Sequence, residues 1–152
     1  MSEQAKPRAG KLVVDQELCH ACQSCMVACS LTHEGQSIPS KARIHVIIDP
    51  FHGNHAIHYC HQCRKAPCAA ACPQHAIRKV SHSSEGGNPA QPQAEVECWE
   101  LDEALCDGCG ACVEACPFDT MMVVGKALKC DTCHGDPACA ASCPSGALVW
   151  RI

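Results

Sequence analysis

A chain of 152 residues with a formal net charge of −4 suits one domain or two small fused modules, and it lacks the basic stripe of a nucleic-acid-binding protein. Leu, Ile, Val and Phe make up 26 residues, about 17%, which is too few to build an aliphatic core readily. Since the chain also holds 17 cysteines, we expect bound metal to supply part of the folding free energy.

A tail, six short strands and one loop are predicted along the chain. Residues 1–10 are predicted to form a mobile tail, and residues 81–95, rich in Ser, Gly and Pro, predict a surface loop. Weak alternation of apolar and polar residues predicts strands at 11–14, 43–48, 76–80, 96–101, 121–124 and 146–152. No apolar run reaches the length of a membrane span.

Sixteen of the cysteines fall into four runs. Run one is Cys19, Cys22, Cys25 and Cys29; run two is Cys60, Cys63, Cys68 and Cys72; run three is Cys106, Cys109, Cys112 and Cys116; run four is Cys130, Cys133, Cys139 and Cys143. Runs one and three share the spacing C-x2-C-x2-C-x3-C, while runs two and four have a wider middle gap. Proline follows every run except the first, where Ser30 takes its place. Short helical turns are expected at the last cysteines, since proline cannot continue a helix.

This spacing is typical of [4Fe–4S] ligation. Two-residue gaps let one tight loop reach three corners of the cluster, and the fourth thiolate, before proline, comes from a separate turn. Gly108 and Gly110 help the third loop to close, so that its backbone N–H groups approach the cluster. Paired C-x2-C knuckles also occur in zinc sites, and a zinc-structured interaction module is therefore the alternative from another class. The crowded third cysteine and the terminal proline favour iron–sulfur.

From Lys11 to Ile152 the chain resembles the four-cluster ferredoxin-type electron-transfer subunits of molybdenum and tungsten oxidoreductases, carbon monoxide dehydrogenases and some hydrogenases. The motifs CHQCRKAPC and CDTCHGDPAC, each followed by a CP pair, fit the second and fourth motifs of this family. Residues 25–46 are similar to the iron–sulfur subunits of tungsten aldehyde oxidoreductase complexes and carbon monoxide dehydrogenases. We therefore expect an α+β fold of two fused bacterial-type 2[4Fe–4S] ferredoxin modules with pseudo-two-fold symmetry.

The pairing of the runs has two solutions, because the fourth cysteine of a ferredoxin run binds the other cluster of its pair. Run one could pair with run two, and run three with run four. Alternatively, run one could pair with run four, and run two with run three. Only 13 residues separate runs three and four, and 33 separate runs two and three, which favours the second solution, as the family resemblance also implies. Module A is then 11–42 plus 121–152, and module B is 43–120. The expected spatial order is run one, run four, run three, run two.

Four ligand sets follow from this pairing. They are Cys19, Cys22, Cys25 and Cys143; Cys130, Cys133, Cys139 and Cys29; Cys106, Cys109, Cys112 and Cys72; and Cys60, Cys63, Cys68 and Cys116. Cys98 stands alone and is interpreted as a small buried hydrophobe, not a ligand. His20, His61 and His134 each adjoin a run cysteine and are expected to tune a cluster or to lie at the surface. His33 is expected to have a local structural or interface role.

The predicted function is a wire of four [4Fe–4S] clusters between a catalytic redox subunit and another electron carrier or flavin/NAD subunit. The resemblance favours a tungsten- or molybdenum-pterin aldehyde oxidoreductase as the catalytic partner. A free soluble polyferredoxin, or a subunit of carbon monoxide dehydrogenase, formate dehydrogenase or hydrogenase, is the alternative. We expect no catalytic residue in this chain, and self-association stays open. The start of the sequence lacks a signal-peptide core, so a cytoplasmic location without a membrane partner is expected.

Overall fold

The computed structural model describes residues 10–83 and 95–151. The predicted tail, apart from residue 10, and residues 84–94 of the predicted loop lie outside this range. Within it the chain is a small α+β protein built from short strands and short helices.

Eight strands form four antiparallel two-stranded sheets in the described part of the chain. They are β1 (Lys11–Val14), β2 (His45–Asp49), β3 (Asn54–His58), β4 (Ile77–Ser83), β5 (Glu95–Leu101), β6 (Met122–Val124), β7 (Lys126–Leu128) and β8 (Leu148–Arg151). The pairs are β1 with β8, β2 with β3, β4 with β5 and β6 with β7. All six predicted strands are therefore present.

The sequence missed β3 and β7. Strand β3 carries histidine or asparagine at three of its five positions, and β7 has only three residues, so neither shows a clear apolar alternation. The predicted loop 81–95 is also too long, because β4 continues to Ser83 and β5 begins at Glu95.

Four helices carry or adjoin the cysteines of the runs. They are α1 (Ser24–Glu34), α2 (Pro67–Ala71), α3 (Ala111–Ala115) and α4 (Ala138–Ser142). The last cysteines of runs two, three and four are the C-terminal caps of α2, α3 and α4, each in an extended conformation. The proline after each of these cysteines explains the stop, because it prevents the next helical hydrogen bond.

Helix α1 continues past Cys29, the last cysteine of its run. Ser30 is fully buried; its Oγ donates to Val27 O and accepts a hydrogen bond from Ile38 N at 3.1 Å. The helix ends at Glu34, four residues after Ser30, and its C-cap Gly35 has a φ of 70°, which is a typical left-handed helix end. Replacing proline by Ser30 thus gives run one a helix of 11 residues.

The apolar interior consists of two clusters of buried residues. The first contains Leu12, Cys25, Cys29, Ala42, Ile44, Val46, Cys139 and Leu148. The second contains Ile77, Cys112, Met121 and Ala127. Residues of β2 thus pack with runs one and four, and residues of β6 and β7 pack beside runs two and three. Strand β2 belongs to predicted module B but packs with runs one and four of module A, and β6 and β7 belong to module A but pack beside runs two and three of module B. The bounds of the two modules remain a prediction. None of the described helices is long and apolar enough to span a membrane.

Candidate metal centres

The first two cysteines of each run lie in a loop or 3-10 turn with left-handed backbone, and the third lies in the first turn of the helix that follows. The residue before the second cysteine has a positive φ in all four runs: Ala21 (55°), Gln62 (48°), Gly108 (76°) and Thr132 (56°). Such angles cost free energy in any residue but glycine. Their recurrence means that the four loops share one way of curling the chain around their thiols.

Gly108 is the position where the sequence most clearly meets this demand. A Cβ built there would lie 2.1 Å from Gly125 O, so the third loop also needs glycine for its close approach to the β6–β7 turn. Run four has no glycine between its first two cysteines, and Thr132, Cys133 and His134 all take positive φ values in its 3-10 turn. The residue types in this loop do not predict the strain.

Four thiols from runs one and four meet in one cavity. Cys19, Cys22, Cys25 and Cys143 line it together with His20, Val46 and Leu148. Burial raises the pKa of Cys25 to about 11, whereas Cys22 is exposed. The cavity therefore has one side in the apolar interior and one open to solvent.

A second cavity holds the remaining thiols of the same two runs. Cys29, Cys130, Cys133 and Cys139 line it, and so do Cys60 and His61 of run two. Burial raises the pKa of Cys133 to about 11 and that of Cys139 to about 12. Binding of a metal by such thiols must release protons, because the ligand is the thiolate.

A third cavity combines run two with the last cysteine of run three. Cys60, Cys63, Cys68 and Cys116 line it together with Trp99, Phe118 and Lys129. Thr120 Oγ1 is 3.3 Å from Cys116 Sγ. The side chains of Tyr59, His61 and Phe118 form a stack, with ring centroids 4.3 and 3.8 Å apart, so aromatic surface borders both this cavity and the second one.

The run cysteines that remain are Cys72, Cys106, Cys109 and Cys112. Cys106 and Cys112 pack in the second apolar cluster, and α2, which ends before Cys72, packs against α3. Burial is the main cause of the raised pKa of Cys112, with the thiols of Cys106 and Cys68 adding to it. Cys109 is exposed.

Backbone N–H groups are directed at several of the sulfurs. Hydrogen bonds of 3.1–3.4 Å reach Cys19 from Ala21, Cys29 from Arg43, Cys72 from Ala76, Cys106 from Ala127 and Cys130 from Thr132. Such bonds stabilise negative charge on sulfur and raise the reduction potential of a bound cluster.

The extension of α1 past Cys29 places the side chain of His33 near the Cys29 thiol. His33 Nδ1 lies 3.7 Å from Cys29 Sγ, and His33 Nε2 lies 3.0 Å from Asp131 Oδ1. Burial acts to raise the pKa of Cys29, but the contacts with His33 and Arg43 outweigh it and lower that pKa. The hydrogen bond to Asp131, followed by that to Cys29, raises the pKa of His33 to about 10. The predicted structural role of His33 thus has a physical basis.

Lys129 is a buried cation that sequence analysis missed. It is only 5% exposed, and its Nζ lies 3.3 Å from both Cys60 Sγ and Cys130 O. Burial opposes its charge, but the neighbouring thiols of Cys60, Cys68 and Cys130 raise its pKa. In the sequence Lys129 only precedes a cysteine, and nothing local shows that it faces another run.

Runs two and four meet at Lys129. Gln62 also bridges them, since its side chain donates to Cys130 O at 2.8 Å and accepts from Trp99 N at 2.7 Å. Run two thus contacts run four directly, a contact that the expected spatial order, with run three beside run four, does not include. Sequence spacing could not show it, because a short link between two runs does not fix which of their thiols face each other.

The other histidines and Cys98 are also located. His20 lines the first cavity, and His61 borders the second and third. His134 faces away from these cavities toward His82 and Glu100. Cys98 is 1% exposed in β5 and lines none of the three cavities described above.

Two family models match the chain. Residues 59–120 match a 4Fe-4S dicluster domain, which includes all of runs two and three, and residues 16–32 match a 4Fe-4S binding domain, which includes run one. Both matches support iron–sulfur clusters over the zinc alternative.

Relatives of similar length exist among curated proteins. The chain is 36% identical over 152 residues to the putative electron transport protein YsaA of Escherichia coli, covering 90% of this chain and 86% of that protein. It is 35% identical over 146 residues to the polyferredoxin-like subunit of an aliphatic sulfonate oxidoreductase of Pyrococcus furiosus, covering 94% and 76%. It is also 32% identical over 153 residues to the putative oxidoreductase AegA of Escherichia coli, but it spans only 21% of that protein.

A solved structure shares the fold. A chain of the active site complex BamBC of benzoyl coenzyme A reductase gives a TM-score of 0.52 at 22% identity, covering 96% of this chain and 79% of that one. The cysteine-lined cavities, the family models and the relatives of similar length agree. This chain therefore belongs to the 4Fe–4S ferredoxin-type electron-transfer proteins, a family that includes polyferredoxin-like subunits of oxidoreductases.

Proposed function

We propose that this chain holds four [4Fe–4S] clusters and passes single electrons between a catalytic redox subunit and a second electron carrier. The observation that carries the proposal is the crossing pattern, in which a cavity is lined by three thiols of one run and the last thiol of another. This is the pattern of paired ferredoxin clusters. Bound clusters would supply one-electron redox chemistry, and the chain itself would hold and tune them.

The proposed ligand sets are those expected from the sequence. The four members of three sets line one cavity together: Cys19, Cys22, Cys25 and Cys143; Cys29, Cys130, Cys133 and Cys139, beside Cys60; and Cys60, Cys63, Cys68 and Cys116. The fourth set, Cys72, Cys106, Cys109 and Cys112, is supported by the packing of α2 against α3. The proposed modules join run one with run four and run two with run three.

The proposed electron path runs through the clusters of runs one, four, two and three, in that order. The contact of Lys129 with Cys60 and Cys130 supports the central step. Cys22 and Cys109 are the two run cysteines with exposed side chains, and they belong to the two runs at the ends of this path. Electrons would therefore enter and leave near Cys22 and Cys109.

The proposed catalytic partner is a tungsten- or molybdenum-pterin aldehyde oxidoreductase, with a flavin/NAD subunit or another carrier at the other end. The similarity of residues 25–46 to subunits of such complexes supports it, and a relative that serves as a subunit of an oxidoreductase supports a complex in general. A free polyferredoxin, or a subunit of another dehydrogenase or of a hydrogenase, is the alternative. We further propose a cytoplasmic location and no catalytic residue in this chain.

Metal analysis tests the clusters. Protein purified without oxygen should contain four irons and four sulfides for each run, about sixteen of each per chain. A preparation with zinc in the runs and no iron would contradict the proposal. Isolation of the chain from its native source tests the partner, because a tungsten or molybdenum enzyme should co-purify. Recovery with nickel enzymes alone would reverse that choice.

Serine variants test the ligand sets. In the proposed grouping, Cys143→Ser and Cys22→Ser perturb the same electron paramagnetic resonance signal, because both thiols bind the first cluster. Cys109→Ser should perturb a different signal and is the matched control, since Cys22 and Cys109 are both exposed second cysteines of a run. If Cys143→Ser instead alters the signal that Cys109→Ser alters, the grouping is wrong.

A further inference from the structure

Four side chains with metal-binding atoms converge beside run four, and none of them is a run cysteine. They are His82, Cys98, Glu100 and His134. Strand β4 carries His82, and β5 carries Cys98 and Glu100, which are two positions apart and so lie on one face of the strand. His134 comes from the 3-10 turn Thr132–Gly135. Three separate segments thus contribute to one point.

The ligand atoms are spaced like those around a single ion. All four lie within 4.8 Å of one another. His134 Nδ1 is 2.8 Å from Glu100 Oε1 and 3.1 Å from His82 Nε2, and Cys98 Sγ is 3.3 Å from Glu100 Oε1. Two nitrogen or oxygen ligands at about 2.0–2.1 Å from a tetrahedral ion are about 3.3 Å apart. Outward shifts of up to about half an ångström at each of these atoms would therefore produce such a site.

Hydrogen bonds alone leave this cluster poorly satisfied. Glu100 Oε1 is approached at once by His82 Nε2, His134 Nδ1 and Cys98 Sγ. If both histidine nitrogens carry protons, the two N–H groups converge on one carboxylate oxygen with their nitrogens only 3.1 Å apart. If one is unprotonated, its lone pair faces the carboxylate. A cation between the four atoms removes both conflicts, because every lone pair then points at positive charge.

We propose that His82, Cys98, Glu100 and His134 form a mononuclear Zn²⁺ site, separate from the iron–sulfur clusters. Two imidazoles, one thiolate and one carboxylate are ligands that zinc accepts in tetrahedral geometry. Cys98 is 1% exposed, whereas the side chain of His134 is 53% exposed. The site therefore has a buried sulfur and an open side through which an ion can enter.

The surroundings supply the outer support that histidine ligands usually have. His134 Nε2, the nitrogen opposite the proposed metal-binding one, lies 3.9 Å from Asp131 Oδ2. A carboxylate near that nitrogen can fix the ring and strengthen the ligand, with a small movement or one water between them. Asp131 also accepts a hydrogen bond from Cys133 N at 2.9 Å. The proposed zinc is thus linked through Asp131 to the run-four loop.

The site would link strands β4 and β5 to the run-four loop through one bound ion. This loop has positive φ at Thr132, Cys133 and His134, conformations that cost free energy in non-glycine residues and persist only where the surroundings impose them. A bond from His134 to an ion held by two strands would supply such a restraint. This role replaces the interpretation of Cys98 as a buried hydrophobe that binds no metal, but it adds no ligand to the proposed clusters.

Zinc analysis of the intact, cluster-loaded protein tests the proposal. Holoprotein prepared without oxygen is given one equivalent of zinc sulfate, desalted, and assayed for zinc and iron. We expect about one retained zinc per chain with no loss of iron. X-ray absorption at the zinc edge should show one sulfur at about 2.3 Å and nitrogen or oxygen ligands at about 2.0–2.1 Å. Loss of all zinc on desalting, or a shell of three or four sulfurs, would overturn the proposal.

Single substitutions locate the ion. His82→Gln and His134→Gln should each weaken zinc binding at least tenfold while iron stays constant, and Cys98→Ala should remove the sulfur shell from the zinc spectrum. His52→Gln is the matched control, because His52 also faces a carboxylate, Asp49 at 2.6 Å, but lies on the β2–β3 turn. Zinc affinity unchanged in both His82→Gln and His134→Gln would refute the site. If a variant loses iron, the sulfur count in the wild-type spectrum still decides.

Discussion

Lys129 offers the sharpest test of how this chain tunes its clusters. Its Nζ is 3.3 Å from Cys60 Sγ, and the residue is 5% exposed, so little solvent screens the interaction. Lys129→Met removes the positive charge and keeps a side chain of similar length. A reduced cluster is more negative than an oxidised one, and a nearby cation favours the reduced form. The substitution should therefore lower the potential of the cluster that Cys60 is proposed to bind.

The size of the shift follows from Coulomb's law. Two unit charges 4 Å apart interact by about 4 kcal/mol at an effective dielectric constant of 20. The electron added on reduction is spread over atoms beyond the sulfur, so we take about half, or about 2 kcal/mol. At about 59 mV for each tenfold change in a one-electron equilibrium, this corresponds to a decrease of about 90 mV. The run-four cluster, whose Cys130 is also close, should shift in the same direction by less.

A redox titration followed by electron paramagnetic resonance measures these potentials in protein prepared without oxygen. Lys79→Met is the matched control, because it removes the same charge from a half-exposed side chain paired with Glu97 at 2.6 Å, where solvent and salt screen the effect. Iron content should be equal in both variants. A shift in Lys129→Met no larger than in the control, or a shift upward, would refute the assignment of Lys129 to the run-two cluster.

Three further predictions concern stability. Removal of iron should unfold the chain, since its aliphatic core is small, and cooperative unfolding of the apoprotein by near-ultraviolet circular dichroism would contradict this. Gly108→Ala should destabilise the protein by about 1–3 kcal/mol more than Gly110→Ala. Both glycines have a positive φ, but of the two only Gly108 would bring a Cβ into collision with Gly125 O. Equal denaturation midpoints of the two variants would refute this prediction. His33, whose pKa is raised to about 10 from an ordinary 6.5, should stabilise the fold fully below about pH 6.5 and progressively less up to about pH 10. His33→Gln should abolish that part of the pH dependence, as measured by loss of cluster absorbance in denaturant, and an unchanged slope would count against it.

The sequence predicted what depends on local pattern. The spacing of the cysteines indicated iron–sulfur binding, and the prolines after Cys72, Cys116 and Cys143 mark where α2, α3 and α4 end. Six strands were also recognised, since each has an apolar stretch of its own. Strand β3 was missed because its histidines interrupt the alternation of apolar and polar residues. Its pairing with β2 forms only on folding.

What the sequence could not predict depends on contacts between distant segments. Ser30 stands where the other runs have proline, and its burial and the continuation of α1 bring His33 to Asp131, 98 positions away. Lys129 and Cys60 are 69 positions apart, and His82 and His134 are 52 apart. None of these pairs has a local signal, because each depends on how the loops pack and not on the period of any one element.

The junction between runs two and four accounts for the positions of the polar side chain of Gln62 and the charged side chain of Lys129. Two neighbouring clusters that exchange electrons need a fixed separation, and a junction made only of small apolar residues would leave several backbone groups without partners. Gln62 satisfies Cys130 O and Trp99 N together, which ties the run-two loop both to run four and to β5. Lys129 adds the positive charge that offsets the thiolates of both runs. Since burying an unpaired ammonium is costly, Lys129 is stable there only while those thiolates are present, and so assembly of the clusters and closure of this junction should stabilise each other.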